Sequence, residues 1–297
     1  MSRLLSTVVA GLGNGSVYAL LALGFVIIYK SMGVISLAQP ALMVVGGTAV
    51  AYLAVTFGLN FYLAVLLAIV LTAGVALVVE RLALRPMIGE PPFVIAIITI
   101  GVDIVLRIIT NRFIGIRVLQ VGDPWGFKTL NVGGVAVQHR YLAMMIATGL
   151  VVALLMAFFT YSRIGLAMRA TAFDQETSRA MGISVSAVFA LSWAIAGGLA
   201  ALAGTFVGAG GGIDTGTWVF ALKALPAIIL GGLDSLGGAV VGGLAIGVIE
   251  ALVGTYQGQY APFLGNNFAV VSPYVVLLIV LLVRPYGLFG TPEVERV

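Results

Sequence analysis

No cysteine occurs in the 297 residues, histidine appears once, and charged side chains make up only 9% of the chain. Each scarcity closes a class of function. Without thiols there is neither a disulfide scaffold nor a thiolate metal site. His139, with no neighbouring carboxylate or second histidine, reads as an ordinary loop residue, so neither metal nor cofactor is expected. There is no Gly-Lys dipeptide and hence no Walker-type phosphate loop; HExxH, a G-x-S-x-G nucleophile turn and a paired-carboxylate site are missing too. The chain therefore reads as no enzyme. Any uphill movement of solute has to draw on an ion gradient or on another polypeptide.

What is present is apolar: 61% of the residues are hydrophobic, and the mean hydropathy is +1.16. A soluble core of this length does not need so much, and the composition specifies a polytopic membrane protein of the all-α class, a single transmembrane domain over residues 1–297. About nine apolar stretches can be marked off, for eight or nine membrane-spanning helices. They are Leu5–Ile28, Val34–Phe57, Phe61–Val79, Phe93–Thr110, Tyr141–Thr160, Ala187–Val207, Thr217–Gly232, Leu236–Val253 and Phe268–Val283, the seventh being short for a full crossing. The first is long and lacks a small-x-small cleavage site, which predicts an uncleaved helix. The 39 glycines fit close helix packing in lipid, with Gly238/Gly242 and Gly243/Gly247 at four-residue spacing.

One polar stretch interrupts this pattern, Tyr161 to Ser184, with Arg163, Arg169 and Arg179. Ser162 is placed to cap a short helix and Gly182 to stop it. By the positive-inside rule the stretch faces the cytoplasm, together with Lys30, Arg81, Arg85 and the tail from Arg284, which leaves the N-terminus outside. Residues 111–140 then form an external loop in spite of Arg112, Arg117, Lys128 and Arg140.

An internal echo follows: Ala38-Gln39-Pro40-Ala41 through Gly46-Gly47 resembles Ala224-Leu225-Pro226-Ala227 through Gly231-Gly232, with one residue inserted. On spans that run in opposite directions, this is the pattern of an inverted repeat. A proline in each copy predicts paired broken helices, tolerable in a membrane only beside protein or a wet cavity. The expected solute path therefore includes Ser36, Gln39 and Pro40 from the first copy and Lys223 and Pro226 from the second. Asp103 and Arg107, four apart, are expected to pair on one helix face. Lys223 has two readings, a contact for a solute carboxylate or a side chain that snorkels to the interface, and Glu250 is similarly open. On these grounds a partner-driven importer, an ion-gradient-driven secondary transporter and a passive channel all remain open.

Over nearly its whole length the sequence resembles the permeases of branched-chain amino acid type bacterial ABC importers, the LivH/LivM class. The likeness lies in GLGNGSVYALLALGFVIIYKSMGVISLAQ from Gly11, ERLALRPM from Glu80, ITIGVDIVL from Ile98, LGGLDSLGGAVVGGLAIGVIEAL from Leu230 and VRPYGLFG from Val283, in that order. The resemblance implies a multi-pass protein of the bacterial inner membrane that works by alternating access. It also implies two ATP-binding subunits, a soluble or lipid-anchored binding protein and a LivM-like second permease. In that family the polar stretch is the coupling helix for the ATP-binding subunit, and its pattern is met here by Arg163, Gly165, Arg169, Ala170, Asp174, Gly182 and Ile183. Ser36, Gln39, Ala41 and Asp234 depart from the family pattern. The implied solute therefore widens from branched-chain amino acids to other amino acids, urea, short amides or small organic acids.

Overall fold

The computed structural model describes residues 2–290 apart from 88, 89, 127, 133, 134 and 266. The last seven residues of the predicted cytoplasmic tail lie outside the described residues. Twelve α-helices occur among those described: α1 (Ser2–Met32), α2 (Gln39–Ala51), α3 (Phe61–Val79), α4 (Pro92–Ile114), α5 (His139–Tyr161), α6 (Arg163–Phe173), α7 (Gln175–Ala180), α8 (Val185–Gly211), α9 (Trp218–Leu222), α10 (Ala224–Gly231), α11 (Leu236–Tyr260) and α12 (Phe268–Val283). Seven helices are long and apolar enough to cross a membrane, and Trp218–Gly231 and Phe268–Val283 are shorter apolar segments. Wide π-helical turns continue α2 over Tyr52–Thr56 and α3 over Glu80–Leu84.

The sequence reading needs correction at three places. The second span starts as helix only at Gln39, because Gly33, at φ 72°, ends α1 and the chain bends before α2. The seventh divides at Lys223 into α9 and α10. Residues 111–140 are not all loop: 111–114 finish α4, 139–140 begin α5, and between them β1 (Thr129–Val132) pairs antiparallel with β2 (Val135–Gln138), Thr129 opposite Gln138.

The contacts divide the chain into two compact units: Met1–Ala22, Trp125–Gly149 and Leu222–Val297 in one, and Leu23–Pro124 and Leu150–Ala221 in the other. In the second unit α2 packs on α3, α4 and α8. Small residues permit this. A Cβ on Gly47 would stand 3.0 Å from Gly204 O, and one on Gly197 would stand 2.8 Å from Ala76 Cβ. In the first unit α10 packs on α11 and α12, and the N-terminal part of α1 runs antiparallel along α11. There a Cβ on Gly15 would stand 2.8 Å from Leu244 Cα, and one on Gly243 would stand 2.5 Å from Ala19 N.

The two units thus share a plan: a short helix followed by two longer ones packed on it, α2 with α3 and α4, and α10 with α11 and α12. The long helix beside each trio comes from the other half of the chain. α8 follows the first trio and packs on it, whereas α1 precedes the first trio and packs on the second. Backbone groups left open by the short helices are closed locally. At the end of α10, Leu230 O and Gly231 O accept from Leu288 N and Phe289 N at 2.8 and 3.1 Å, so VRPYGLFG folds back on LGGLDS.

Candidate functional site

Three constellations carry the polar chemistry of an otherwise apolar molecule. The first surrounds the start of α2. Pro40 lies in the first helical turn, where its missing N–H has no intrahelical partner to lose, so the break precedes the proline and is not caused by it. The open backbone donors nearby are met from α4. Leu37 N donates to Thr99 Oγ1 at 3.0 Å, and Ala41 N donates to Asp103 Oδ1 at 3.1 Å. Thr99, Asp103 and Arg107 lie at four-residue spacing on one face. Asp103 Oδ2 pairs with Arg107 Nη2 at 2.5 Å, as their spacing predicts, and the guanidinium lies 4.2 Å from the centre of the Trp218 ring. A carboxylate at a helix N-terminus is favoured by the dipole, and the arginine offsets its charge in a setting where an unpaired ion would be costly.

Ser36 and Gln39, both fully buried, stand at the same break. Gln39 Nε2 donates to Ala196 O at 3.0 Å, and Gly24 leaves room for this amide, since a Cβ there would collide with Nε2. Gln39 Oε1 and Ser36 Oγ have no hydrogen-bond partner among the described residues. Each such atom costs about 1–3 kcal/mol, so the break holds two acceptors ready for a donor.

The second constellation is at the start of α10. Pro226 again falls in the first helical turn. Lys223, the residue before the helix, sends Nζ to Glu250 Oε1 at 2.5 Å, and Glu250 Oε2 accepts from the Tyr18 hydroxyl at 2.5 Å. The two groups that sequence left open are therefore partners. The structure brings Ser36, Gln39 and Pro40 together in one unit and Lys223 and Pro226 together in the other.

The third is the polar stretch. Ser162 caps α6 by accepting from Gly165 N at 2.8 Å, and Gly182, at φ 82°, ends α7, both as expected. One predicted helix is in fact two. Asp174 ends α6 and caps α7, taking Glu176 N and Thr177 N on Oδ1 at 2.9 and 3.0 Å and the Thr177 hydroxyl on Oδ2 at 2.6 Å. Those bonds, led by the Thr177 hydroxyl, hold the Asp174 carboxyl below its ordinary value. This cap is complete above the ordinary carboxylate pKa and is lost as pH falls through the lowered one. Gly165 is buried against the end of α5, where a Cβ would stand 2.8 Å from Phe159 Cα. Its smallness serves the chain's own packing. Arg163, Arg169 and Arg179 are exposed, as are Ile164, Leu166, Phe173 and Met181, with Phe173 94% exposed. Ala170 is half-buried.

Thr99, Tyr18 and Trp218 escaped the sequence reading. Thr99 had a signal, four residues before Asp103; the other two had none.

The family model for the permease component of the branched-chain amino acid transport system matches residues 7–283. The high-affinity branched-chain amino acid transport system permease protein BraD of Pseudomonas aeruginosa is 33% identical, over 99% of this chain and 98% of that protein. The corresponding LivH of Escherichia coli (strain K12) is 31% identical, over 97% of this chain and 96% of that one. Among solved structures, PsaBC from Streptococcus pneumoniae in complex with Fab contains a chain that matches with a TM-score of 0.51 at 18% identity, over 93% of this chain and 91% of that chain. That likeness is one of fold.

Proposed function

This chain belongs to the family of branched-chain amino acid transport system permease components, and from that membership we propose that it forms half of an ATP-driven path for small amino acids. It is a multi-pass membrane permease of an ABC importer, and the secondary-transporter and channel readings open on the sequence alone give way to that. Its partners include ATP-hydrolysing subunits and a substrate-binding protein. The finer reading is that a LivM-like permease supplies the other half of the path. Branched-chain aliphatic amino acids come first among the solutes, by likeness to BraD and LivH. Ser36, Gln39 and Pro40 in one unit are path residues in this reading, as are Lys223 and Pro226 in the other. The unpaired Gln39 Oε1 and Ser36 Oγ suit a solute ammonium group, which brings only donors.

The observation that carries the reading is the helix pair α6–α7. A polar stretch between two membrane helices exposes three arginines around bare apolar side chains, above all Phe173. Solvation by water explains the arginines but not Phe173, Ile164 and Leu166, and those together suit a partner surface with carboxylates around an apolar pocket. In this reading Arg163, Arg169 and Asp174 work at the ATP-binding subunit, while Gly165, Ala170 and Gly182 set the shape that presents them. The pair faces the cytoplasm, and residues 111–140 face outside.

Arg169→Glu in the reconstituted importer tests the docking. Charge reversal at such a contact is expected to lower ATP-driven uptake by about tenfold or more, with membrane insertion unchanged. Normal uptake together with normal association of the ATP-binding subunit would overturn the assignment.

A further inference from the structure

A cleft of about 630 Å³ opens where α1 begins and α11 ends, lined by Arg3, Leu4, Leu5, Leu252, Tyr256 and Tyr260. That is well within the range of about 300–1,000 Å³ typical of small-ligand sites. Its walls are graded. On α11, Leu252, Tyr256 and Tyr260 follow at four-residue spacing along one face, from the apolar interior towards the helix end. On the antiparallel α1, Arg3 is at the helix end and Leu4 and Leu5 lie deeper. Apolar side chains thus line the deep end of the cleft and a cation with two tyrosines the shallow end, at the depth where membrane helices meet water.

Two contacts from α11 orient Arg3. Its Nη2 donates to Thr255 O at 3.3 Å, and its guanidinium lies 5.6 Å from the centre of the Tyr256 ring. Those contacts leave other guanidinium N–H groups open, and no acidic side chain lines the cleft among the described residues. Leu4, Leu5 and Tyr260 are at least half exposed.

We propose that this cleft is a binding site for an anionic phospholipid, with the phosphodiester on Arg3, the glycerol region between the tyrosines and an acyl chain on Leu4, Leu5 and Leu252. The polarity gradient matches a lipid in its bilayer orientation, and the Arg3 cation at its shallow end matches a phosphate. A peptide segment would leave Arg3 without a counter-charge unless it brought a carboxylate to that one position. A lipid brings its phosphate there by geometry.

Native mass spectrometry of the full-length chain in detergent, with phosphatidylglycerol or phosphatidylcholine added from vesicles, tests the site. One phosphatidylglycerol per chain is expected, with about a tenfold preference over phosphatidylcholine, whose choline cation offsets the phosphate charge presented to Arg3. Arg3→Gln is expected to erase that preference while lipid still binds, Leu252→Trp to abolish retention of both lipids, and Arg112→Gln to change nothing. Arg3 is exposed, so its variant tests binding without disturbing the fold. Absence of a stoichiometric lipid, an unchanged preference in Arg3→Gln, or release of the lipid by glycerol phosphate alone would overturn the proposal.

Discussion

The beginnings of α2 and α10 carry related sequences and similar charge yet are secured in different ways. At α2 the carboxylate of Asp103 holds backbone: it accepts Ala41 N–H, with Thr99 accepting Leu37 N–H beside it. At α10, among the described residues, the carboxylate of Glu250 holds two side chains, Lys223 and Tyr18. A bond to backbone fixes where the helix starts, whereas a bond between flexible side chains can be exchanged while the helix stays intact. The α2 break also keeps two buried acceptors unpaired, Ser36 Oγ and Gln39 Oε1. One short helix is therefore a fixed element with open polar atoms beside it, and the other is tied by a removable pair.

The largest expected effect follows from removing the backbone tie. Asp103→Ala strands Arg107 and frees Ala41 N–H, and a loss of about 3–5 kcal/mol is expected, read as lost thermal stability in detergent. Asp103→Asn keeps an acceptor for Ala41 and should lose less; equal losses would show that charge rather than the backbone bond matters at α2. At α10, Glu250→Gln alone should cost about 1–3 kcal/mol by removing the carboxylate that Lys223 and Tyr18 share. Adding Lys223→Met should recover much of that loss, and the recovery is measured by a double-mutant cycle. No recovery would mean that Lys223 is held by something other than the pair. Smallest is Tyr18→Phe, at about 0.5–1.5 kcal/mol, since it removes the hydrogen bond to Glu250 and keeps the ring; unfolding midpoints can check it.

Much of this contrast could be read in the sequence, but only where partners are close along the chain. Asp103 and Arg107 share a face by helix geometry, and the echo around Pro40 and Pro226 located both short helices. Ser162 and Gly182 were recognisable as cap and stop. Asp174 reads as a cap too once Thr177 is noticed three residues on, and overlooking it merged two helices into one. Tyr18 and Glu250 are 232 residues apart, and Gln39 and Ala196 are 157 apart. No local period records such pairs. The motifs that carried the family resemblance gain a physical meaning from the structure: ITIGVDIVL supplies Thr99 and Asp103, and VRPYGLFG supplies the donors that finish α10.

The pairing of α1 with α11 also bears on biosynthesis. A ribosome adding about 5–20 residues per second needs roughly 12–46 s to pass the 232 residues between Tyr18 and Glu250. For that interval the glycine face of the first helix made has no α11 to close on. Insertion and assembly are then separate events in time, and a chain interrupted before Leu236 would sit in the bilayer with its opening helix unmatched.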